Sequence, residues 1–427
     1  MKISLKNIGK ISLAEVNLNG LTVIAGPNDS GKSTLGKALF TLVSTYQKVR
    51  VADADLMVYN LERLFRDLYS KLGAERFTNP IFAKHLPILT SKAVDAWLAI
   101  DSDEERQTFL NCILEGVHQS TLSQRIKALC EDILKNINSF RRTGNIETEF
   151  SAELDKFILS EFRGNFVSME ADSGSIVITE NEAQLGFTAT KEGTKEIIWP
   201  ESDSLPNDAT YIESPLYLNL VRTLLDSTRL PYNTNSVQPH IIDFAEKVTM
   251  PAIFKGNEGI VSENLKGGKF EFDNETQQLV FRKDSRTFPI GNVASGFKTF
   301  GVLQLFLTNG VASPSKFIIW DEPENHLHPE WQLNFAEIIV DMVRNGYPIV
   351  VSTHSPYFIQ AIRYYSALKG VEQSVDYYLS EPDGSSGLNK FRQVNGALND
   401  VFVKMANPLN EVMNVDLARK KFENHDS

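Results

Sequence analysis

Apolar residues alternate with polar ones, or run together, over the first 25 residues of the chain. The segments KISLKNIGKI, SLAEVNL and LTVIAG have the spacing of strands, and Asn19-Gly20 supplies a turn before the third. After residue 31 the apolar positions fall three or four apart and share one face of a helix predicted from Lys32 to Gln47. The chain is therefore predicted to begin with three strands and a helix.

The middle of the chain changes from helical to strand-like spacing. Residues 50–165 are predicted to be mostly helical, most clearly over 103–137, where Phe109 and Leu122 stand at helical spacing. Residues 165–200 return to a period of two, as in GSIVITE. Further along we predict a strand at 209–212, helices at 216–229 and 240–248, and a hairpin in KFEFDNETQQLVFRK.

From residue 291 onward helices and strands alternate, as they do in α/β folds. The pattern predicts a helix at 296–307, a strand at 316–320, a helix at 329–344, a strand at 348–352, a further helix and strand leading to 376–379, and a helical tail at 396–424. We therefore predict an α/β core that is split in sequence. Its parts are 1–48 and 290–395, with a mixed, largely helical insertion at 49–289 and a tail at 396–427.

A glycine-rich segment, GPNDSGKST, precedes the first helix and matches the phosphate-binding pattern GxxxxGK[ST]. Glycines let backbone amides wrap around phosphate oxygens, and the start of the helix adds the positive end of its dipole. Asp29 is unfavourable in such an anion site unless its side chain faces outward. Lys32 is predicted to contact the β- and γ-phosphates, and the Ser33 hydroxyl to bind Mg²⁺. The predicted nucleotide contacts are Gly26, Pro27, Asn28, Ser30, Gly31, Lys32, Ser33 and Thr34.

Two acids end the apolar strand FIIW. Because ligands gather at the carboxyl ends of parallel strands, Asp321 and Glu322 are expected beside the phosphate loop. Asp321 is predicted to hold the Mg²⁺, and Glu322 to accept a proton from the attacking water. His326 and His328 follow closely, but two histidines one residue apart, without a third partner at suitable spacing, favour a polar loop over a metal site.

Composition restricts the partners of the chain. The 427 residues carry a net charge of −11, which opposes a strong basic footprint for nucleic acid. Arg141-Arg142, Lys266–Lys269 and Arg419–Lys421 are the local basic candidates, and each is read as solvated surface. The two cysteines cannot form a disulfide framework, and no apolar run approaches the ~20 residues that cross a bilayer. We therefore expect a cytoplasmic protein without a membrane partner.

The motifs together resemble those of ABC-type ATPases, in the branch that contains SMC, RecF and OLD-like proteins. The run DEPENHLHP, which begins at Asp321, is very similar to that branch's Walker B segment with its D-loop. Thr353-His354-Ser355-Pro356 resembles the switch-histidine loop, and Ala294-Ser295-Gly296-Phe297-Lys298 a degenerate signature motif. The resemblance covers roughly residues 1–48 and 290–365 and implies a P-loop NTPase fold of the ABC-ATPase type, acting with ATP and Mg²⁺.

The resemblance also implies a role for a second copy of the chain. His354 would sense the γ-phosphate, while Ser295 and Gly296 would contact the nucleotide held by the other subunit of a head-to-tail dimer. A helix start at Ser295-Gly296 is itself a place where an anion can bind. The plainer alternatives are an ordinary helix start at Ser295-Gly296 and a structural loop histidine at His354. Lys298 stands where the family often has Gln or Glu, and no segment is a convincing Q-loop, neither Gln47 nor Glu213-Ser214.

The insertion lacks sustained heptads, so a long SMC-like coiled coil is not expected. The architecture is similar to compact AAA-family ATPases of bacterial anti-phage defence, of the Septu, PARIS or retron type, which work with a separate nuclease or toxin. No acidic cluster after residue 365 resembles the Toprim nuclease domain of OLD proteins.

Two functions remain from this resemblance. The favoured one is an ATP-gated sensor or scaffold that controls a separately encoded effector in antiviral defence. The alternative is a RecF- or SMC-like ATP-gated protein that binds DNA in repair or chromosome maintenance. A transporter ATPase is disfavoured, because its signature normally follows a much shorter insertion.

Overall fold

A computed structural model gives the fold of the chain. It describes residues 1–72, 107, 108, 110, 111, 114, 126–131, 133, 146–200, 205, 206, 208–228, 237–250, 261, 263–273, 276, 278–384 and 386–413. The chain divides into two compact units, one of residues 1–45 with 151–427 and one of Tyr46–Phe150.

The strands of the first unit follow the period-two segments closely. They are β1 Lys2–Ile8, β2 Ile11–Asn17, β3 Leu21–Ala25, β4 Ser173–Glu180, β5 Ala183–Thr190, β6 Gly193–Ile198, β7 Asp208–Ile212, β8 Lys269–Asp273, β9 Gln278–Lys283, β10 Arg286–Pro289, β11 Lys316–Asp321, β12 Ile349–Thr353, β13 Val375–Pro382 and β14 Asn389–Gln393. The predicted strands are confirmed, whereas β10 and β14 were not predicted. The first predicted strand was too long, because a turn at Gly9-Lys10 separates β1 from β2.

The helices lie where apolar positions recur at helical spacing. They are α1 Lys32–Leu72, α2 Ile146–Phe162, α3 Val221–Thr228, α4 Pro239–Val248, α5 Ser295–Thr308, α6 Pro329–Arg344, α7 Pro356–Lys369 and α8 Leu398–Met413, with short 3-10 turns at Pro215–Asn219, Ile290–Asn292 and Glu372–Ser374. Within the predicted helix at 103–137, the described residues 107, 108, 110, 111, 114, 126–131 and 133 are helical, whereas Phe109 and Leu122 lie outside the described residues, as does the end of the predicted tail.

One helix departs clearly from its predicted bounds. α1 was predicted to end at Gln47 but continues to Leu72. Neither proline nor glycine occurs between Lys37 and Leu72, so no residue in that stretch interrupts the helix. α1 begins in the first unit and continues into the second, where the rings of Phe65 and Tyr69 pack edge to face.

An eleven-stranded sheet forms the centre of the first unit, in the order β6-β5-β4-β1-β2-β14-β13-β3-β12-β11-β7. The five strands from β13 to β7 run parallel, with β3 between β13 and β12. The remaining strands extend the sheet mainly by antiparallel pairing. The described strands β8, β9 and β10 form a separate antiparallel sheet. The carboxyl ends of β3, β12, β11 and β7 therefore lie along one edge, where α/β sheets collect ligands.

The predicted boundaries differ from the division seen in the structure. The proposed insertion at 49–289 includes β7, yet β7 pairs in parallel with β11 at the end of the large sheet. β4, β5 and β6 likewise extend that sheet beyond β1. Contacts place residues 151–289 in the first unit, because these strands share its backbone hydrogen bonds.

Apolar side chains from the parallel strands and from helices packed on them form the core. Trp320 of β11 is buried, and its ring lies 5.1 Å from that of Phe335 on α6. Phe335 also contacts Phe300 of α5 and Phe358 of α7. This packing fixes α5, α6 and α7 relative to the strands that carry the candidate site.

Candidate active site

The phosphate loop connects β3 to α1 and depends on its glycines. Gly31 has φ of +90°, in the left-handed region that disfavours side chains. A Cβ on Gly26 would lie 2.9 Å from the Ser30 hydroxyl and 3.0 Å from Cβ of Ser380. Ser380, on the neighbouring strand β13, also donates a 2.6 Å hydrogen bond to the Ser30 carbonyl. The loop is therefore shaped by contacts that leave no room for larger residues at these glycines.

Lys32 reaches back across this loop from the first turn of α1. Its side chain is 4% exposed, and Nζ donates a 2.8 Å hydrogen bond to the carbonyl of Pro27. The same Nζ lies 3.6 Å from Oε1 of Glu322. A buried cation thus links the phosphate loop to the carboxyl end of β11.

Asp29 faces away from the loop, as an anion-binding role requires. Its side chain is 77% exposed and pairs with Lys10 at 3.1 Å. Its φ of +60° turns the backbone sharply at this position. The acid within the motif is therefore directed into solvent.

The remaining loop residues divide into buried and accessible ones. Pro27, Asn28 and Ser33 are exposed, and Thr34 is half-buried. The Ser30 hydroxyl is buried without a hydrogen-bond partner among the described residues. A buried hydroxyl without a partner is uncommon, and it adds a polar group to the lining of the loop.

Two hydroxyl groups orient the carboxylate of Asp321. The Tyr211 hydroxyl on β7 donates to Oδ2 at 2.8 Å, and the Ser352 hydroxyl on β12 donates to Oδ1. Burial, followed by the negative charge of Asp321, raises the pKa of Tyr211 well above its ordinary value. Tyr211 therefore remains a neutral donor, and the two neighbouring strands hold the carboxylate from both sides.

Glu322 adopts an unusual backbone conformation immediately after β11. Its φ is +47°, in the left-handed region that strained functional residues often occupy. The Asn325 amide donates to Oε2 at 2.9 Å, and Nδ1 of His354 lies 3.2 Å from Oε1. Burial pushes the pKa of Glu322 upward, but the Asn325 hydrogen bond and the nearby side chains of His354 and Lys32 lower it overall. This carboxylate is therefore ionised at neutral pH and can accept a proton.

His354 lies in the loop after β12, beside the acid pair. Its side chain is 43% exposed, and Nδ1 lies 3.2 Å from Glu322 and 3.6 Å from Glu324. The next residue, Ser355, accepts a hydrogen bond from the Phe358 amide and caps α7. The ring therefore stands on a short loop held between β12 and α7.

Ser295 and Gly296 begin α5, away from these contacts. Neither makes a hydrogen bond to the phosphate loop or the acid pair in the part of the chain that the structure describes. A Cβ on Gly296 would come within 2.7 Å of the Trp331 ring on α6. The structure thus brings together Lys32, Asp321, Glu322 and His354, but it does not add Ser295 or Gly296 to the same group.

A cluster of charged residues, only partly buried, contacts Tyr211 through the ring of His240. His240 of α4 lies 2.6 Å from Glu161 through Nδ1 and 2.9 Å from Glu213 through Nε2. Lys37 on α1 lies 3.7 Å from Glu161. Burial lowers the pKa of His240, but the hydrogen bonds to the two carboxylates raise it overall. Glu213, whose pKa is lowered to about 2 chiefly by its bond to His240, stands at the carboxyl end of β7.

His326 and His328 are exposed beside the turn after Glu322, and the described residues contain no group of three or more His, Cys, Asp or Glu arranged to hold a metal. Mg²⁺ at phosphate sites takes few protein ligands, so Asp321 with Ser33 needs no such group. Among the described helices, none has the length and apolarity required to cross a membrane.

Sequence reasoning did not assign roles to several residues that shape this site. No sequence pattern marks Tyr211 as a site residue, because its contact with Asp321 depends on the pairing of β7 with β11. Ser352 does carry a signal: it is a polar residue at the carboxyl end of an apolar strand. Asn325 and Glu324 lie within a recognised motif, but the motif does not specify their hydrogen bonds.

Comparisons with known proteins agree with this arrangement. Residues 193–360 match the family model described as "AAA domain, putative AbiEii toxin, Type IV TA system", and residues 2–56 match the model described as "AAA domain". The first range includes the acid pair and His354, and the second includes the phosphate loop. No protein of curated function matches the sequence.

Solved structures with a similar chain path include heads of SMC proteins. The SMC head domain from Thermotoga maritima is 12% identical, with a TM-score of 0.39, over 92% of this chain and 98% of that one. The Smc head domain with an extended coiled coil, bound to the C-terminal domain of ScpA and derived from Pyrococcus furiosus, is 10% identical, with a TM-score of 0.40, over 96% of this chain and 98% of that one.

The family matches and the site geometry fall on the same parts of the molecule. The phosphate loop between β3 and α1 lies in one matched range, and the strands β7, β11 and β12 lie in the other. The predicted α/β class is confirmed. Residues 2–56 and 193–360 are thus each similar to an AAA domain, and the fold that contains them is a P-loop NTPase fold.

Proposed function

We propose that the protein binds ATP with Mg²⁺ at the loop Gly26–Thr34 and hydrolyses it, and that ATP controls its association with a second copy. The observation that carries the proposal is the convergence of four side chains at one sheet edge. Lys32 lies 3.6 Å from Glu322, His354 lies 3.2 Å from Glu322, and Asp321 precedes Glu322 at the end of β11. These residue types in this arrangement suit phosphoryl transfer to water.

The residues present fit a nucleotide phosphate. The loop contains two glycines, Gly26 and Gly31, at which a Cβ would meet neighbouring atoms within 3.0 Å. Such a loop lets backbone amides approach an anion, and α1 adds the positive end of its dipole. Lys32 supplies a full positive charge, and the Ser30 hydroxyl lacks a partner within the described chain.

The residues also fit a magnesium ion. Carboxylate and hydroxyl oxygens are the ligands that Mg²⁺ takes, usually together with water and substrate phosphates. Asp321 is oriented by two hydroxyl donors, and Ser33 is accessible at the start of α1. Mg²⁺, when bound, neutralises charge on the phosphate oxygens.

The positions of the side chains support the proposed hydrolysis. Lys32 would offset the negative charge of the β- and γ-phosphates and orient them toward the end of β11. Glu322, ionised at neutral pH, would accept the proton of the attacking water. His354, beside Glu322, would contact the γ-phosphate and so make the loop after β12 responsive to the bound nucleotide.

We further propose that this site is completed by a second copy of the chain. Ser295 and Gly296 begin a fourteen-residue helix, and the amides at the start of such a helix can bind an anion. Within the described residues of one chain, neither makes a hydrogen bond to the phosphate loop. A head-to-tail dimer would place them on the partner's nucleotide, with two ATP molecules at the interface.

The dimer would act as a sensor or scaffold that controls a separate effector in bacterial antiviral defence. One support is the description of the family that matches residues 193–360, which names a toxin of a type IV toxin–antitoxin system. The other is the net charge of −11, which opposes extensive contact with nucleic-acid phosphates. ATP-dependent duplex binding that weakens with salt would instead indicate the RecF- or SMC-like role.

Replacing Lys32 tests the nucleotide site. Lys32→Ala removes the buried cation, so we expect ATP affinity to fall at least about 100-fold, which corresponds to about 2.7 kcal/mol. Isothermal titration with a slowly hydrolysed ATP analogue and Mg²⁺ measures this loss. Lys195→Ala is the matched control, since Lys195 is a surface residue of β6 that pairs with Glu192. Equal affinity in both variants would contradict the site.

A further inference from the structure

We propose that Glu324 is a positioning residue, which holds the His354 loop against Glu322 and so acts in hydrolysis through His354. The inference rests on the proposed ATPase function and deepens it. Glu324 lies in the turn after β11, two residues beyond Glu322. His354 lies in the loop after the adjacent strand β12. The two segments are distant in sequence but meet at this carboxylate.

One oxygen of Glu324 accepts three hydrogen bonds from the His354 loop. The Thr353 hydroxyl donates to Oε1 at 2.5 Å, the His354 amide at 3.0 Å and the Ser355 amide at 3.2 Å. Hydrogen bonds to a charged acceptor are shorter and stronger than neutral ones. Three of them on consecutive residues fix the backbone from which the imidazole extends.

Burial of the Glu324 carboxylate lowers the stability of the folded state. The Glu324 side chain is 3% exposed, and burial raises its pKa above the ordinary value. Its second oxygen, Oε2, is buried without a hydrogen-bond partner among the described residues. Burying a carboxylate with incomplete compensation does not favour stability, and a well-packed apolar residue is often at least as stable in such places. The cost is therefore better explained by a role in the site.

The geometry identifies the group on which Glu324 acts. Nδ1 of His354 lies between the two carboxylates, 3.2 Å from Oε1 of Glu322 and 3.6 Å from Oε1 of Glu324. Ser355, which also receives support from Glu324, donates its hydroxyl to Gln332 of α6 at 2.9 Å. Glu324 thus joins the turn after β11, the loop after β12 and α6 into one frame around the imidazole.

The positioning role of Glu324 predicts which substitutions at this residue preserve ATP hydrolysis. Glu324→Asp shortens the side chain by one methylene and loses its reach, and Glu324→Ala removes the acceptor. Glu324→Gln keeps an oxygen at the same length, so it can accept the same three bonds. Misplacement of a reacting group by about 1 Å can reduce the rate roughly 100-fold, and we expect the Asp and Ala variants to lose kcat on this scale.

The experiment measures steady-state ATP hydrolysis, together with analogue binding, in the full chain. We expect Glu324→Ala and Glu324→Asp to lower kcat about 100-fold with ATP affinity nearly unchanged, and Glu324→Gln to restore most of kcat. Glu330→Ala is the matched control, because Glu330 is an exposed glutamate in the first turn of α6. If Glu324→Ala does not fold, the kcat of Glu324→Asp is compared with that of Glu324→Gln and of the control instead.

A double variant separates positioning from a general structural effect. If Glu324 acts through His354, adding Glu324→Ala to His354→Ala should lower kcat no further. Two independent losses that multiply, or a Gln variant as impaired as Ala, would overturn the proposal.

Hydrogen exchange gives a readout that does not require catalysis. The amides of His354 and Ser355 should lose protection in Glu324→Ala but not in Glu330→Ala. Absence of Lys32-dependent turnover in the parent chain would refute the proposed ATPase function. Unchanged amide protection in Glu324→Ala would refute this inference even if the parent hydrolyses ATP.

Discussion

Adjacent residues at the end of β11 have different environments and therefore different proposed roles. Asp321 is held by hydroxyl groups from both neighbouring strands. Glu322 turns away through a positive φ and meets Lys32 and His354 instead. These environments suit the proposed roles, metal binding for Asp321 and proton acceptance for Glu322.

Tyr211→Phe tests the support of Asp321. The variant keeps the ring, which packs edge to face on His240 at 5.0 Å, and removes only the hydroxyl. A hydrogen bond to a charged group contributes about 1.5 kcal/mol or more. We therefore expect the Mg²⁺ concentration for half-maximal ATP hydrolysis to rise about tenfold, and the free energy of unfolding to fall by about 1.5–3 kcal/mol.

Tyr357→Phe provides the comparison, because Tyr357 on α7 is 64% exposed. It should leave the Mg²⁺ requirement unchanged. An identical Mg²⁺ curve for Tyr211→Phe would show that Asp321 does not need the tyrosine to bind the ion.

Some of these site residues can be predicted from the sequence and others cannot, because only some of them lie in a local sequence pattern. Lys32, Asp321 and Glu322 lie in patterns whose spacing is fixed by phosphate and metal chemistry, so they can be read directly from the chain. Tyr211 and Glu324 act through contacts between segments that only the folded sheet brings together. No local pattern encodes those contacts.

Among the elements, the packing of α1 on the sheet connects the phosphate loop to the acid pair. Gly36 lies one turn into α1, and a Cβ there would come within 2.6 Å of the Tyr211 ring and 3.1 Å of Ile319. The absence of a side chain lets the helix lie close to β7 and β11. The position of the loop thus depends on a glycine within a helix, where glycine is otherwise unfavourable.

Gly36→Ala therefore sets two effects against each other. Alanine gains about 1 kcal/mol of helix propensity over glycine. Overpacking against a buried ring typically costs about 1–3 kcal/mol. The Tyr211 ring is fully buried and cannot move aside freely, so we expect a net decrease in the free energy of unfolding, measured by urea denaturation.

Gly291→Ala is the control, since no atom lies within 4 Å of a Cβ there and its φ is not positive. It should be neutral or slightly stabilising. A Gly36→Ala protein more stable than the parent would show that α1 can shift without cost.

The sequence predicted elements with sustained hydrophobic periodicity, but not strands with few apolar residues or the pairing of distant strands. The helix α6 was predicted with its observed bounds, because its apolar stripe begins after a proline at Pro329. β14 was not predicted, because its sequence NKFRQ has few apolar residues and it is held by β13 and β2. β7 was predicted as a strand, but its place beside β11 was not.

At the scale of the whole molecule, the proposed site is divided between two copies. Glu322→Gln removes the proton acceptor while the phosphate-binding residues remain. We expect this variant to accumulate ATP-bound dimer, which sedimentation velocity with ATP and Mg²⁺ would detect. Ser295→Arg in the same background should abolish the dimer, because a bulky side chain would obstruct the start of α5.

Ser315→Arg is the matched control for this interface. Ser315 is exposed just before β11, at the opposite end of the strand from the acid pair. It should leave ATP-dependent dimerisation intact. A Glu322→Gln protein that remains monomeric with saturating ATP would count against the head-to-tail arrangement.

The interior position of β3 in the sheet has a consequence for biosynthesis. Both of its neighbours, β12 and β13, come more than 300 residues later in the chain. At about 5–20 residues per second of translation, the strand before the phosphate loop waits roughly 15–60 s for partners. During that interval its apolar segment lacks the two strands that flank it in the folded sheet, and unpaired strands of this kind favour aggregation.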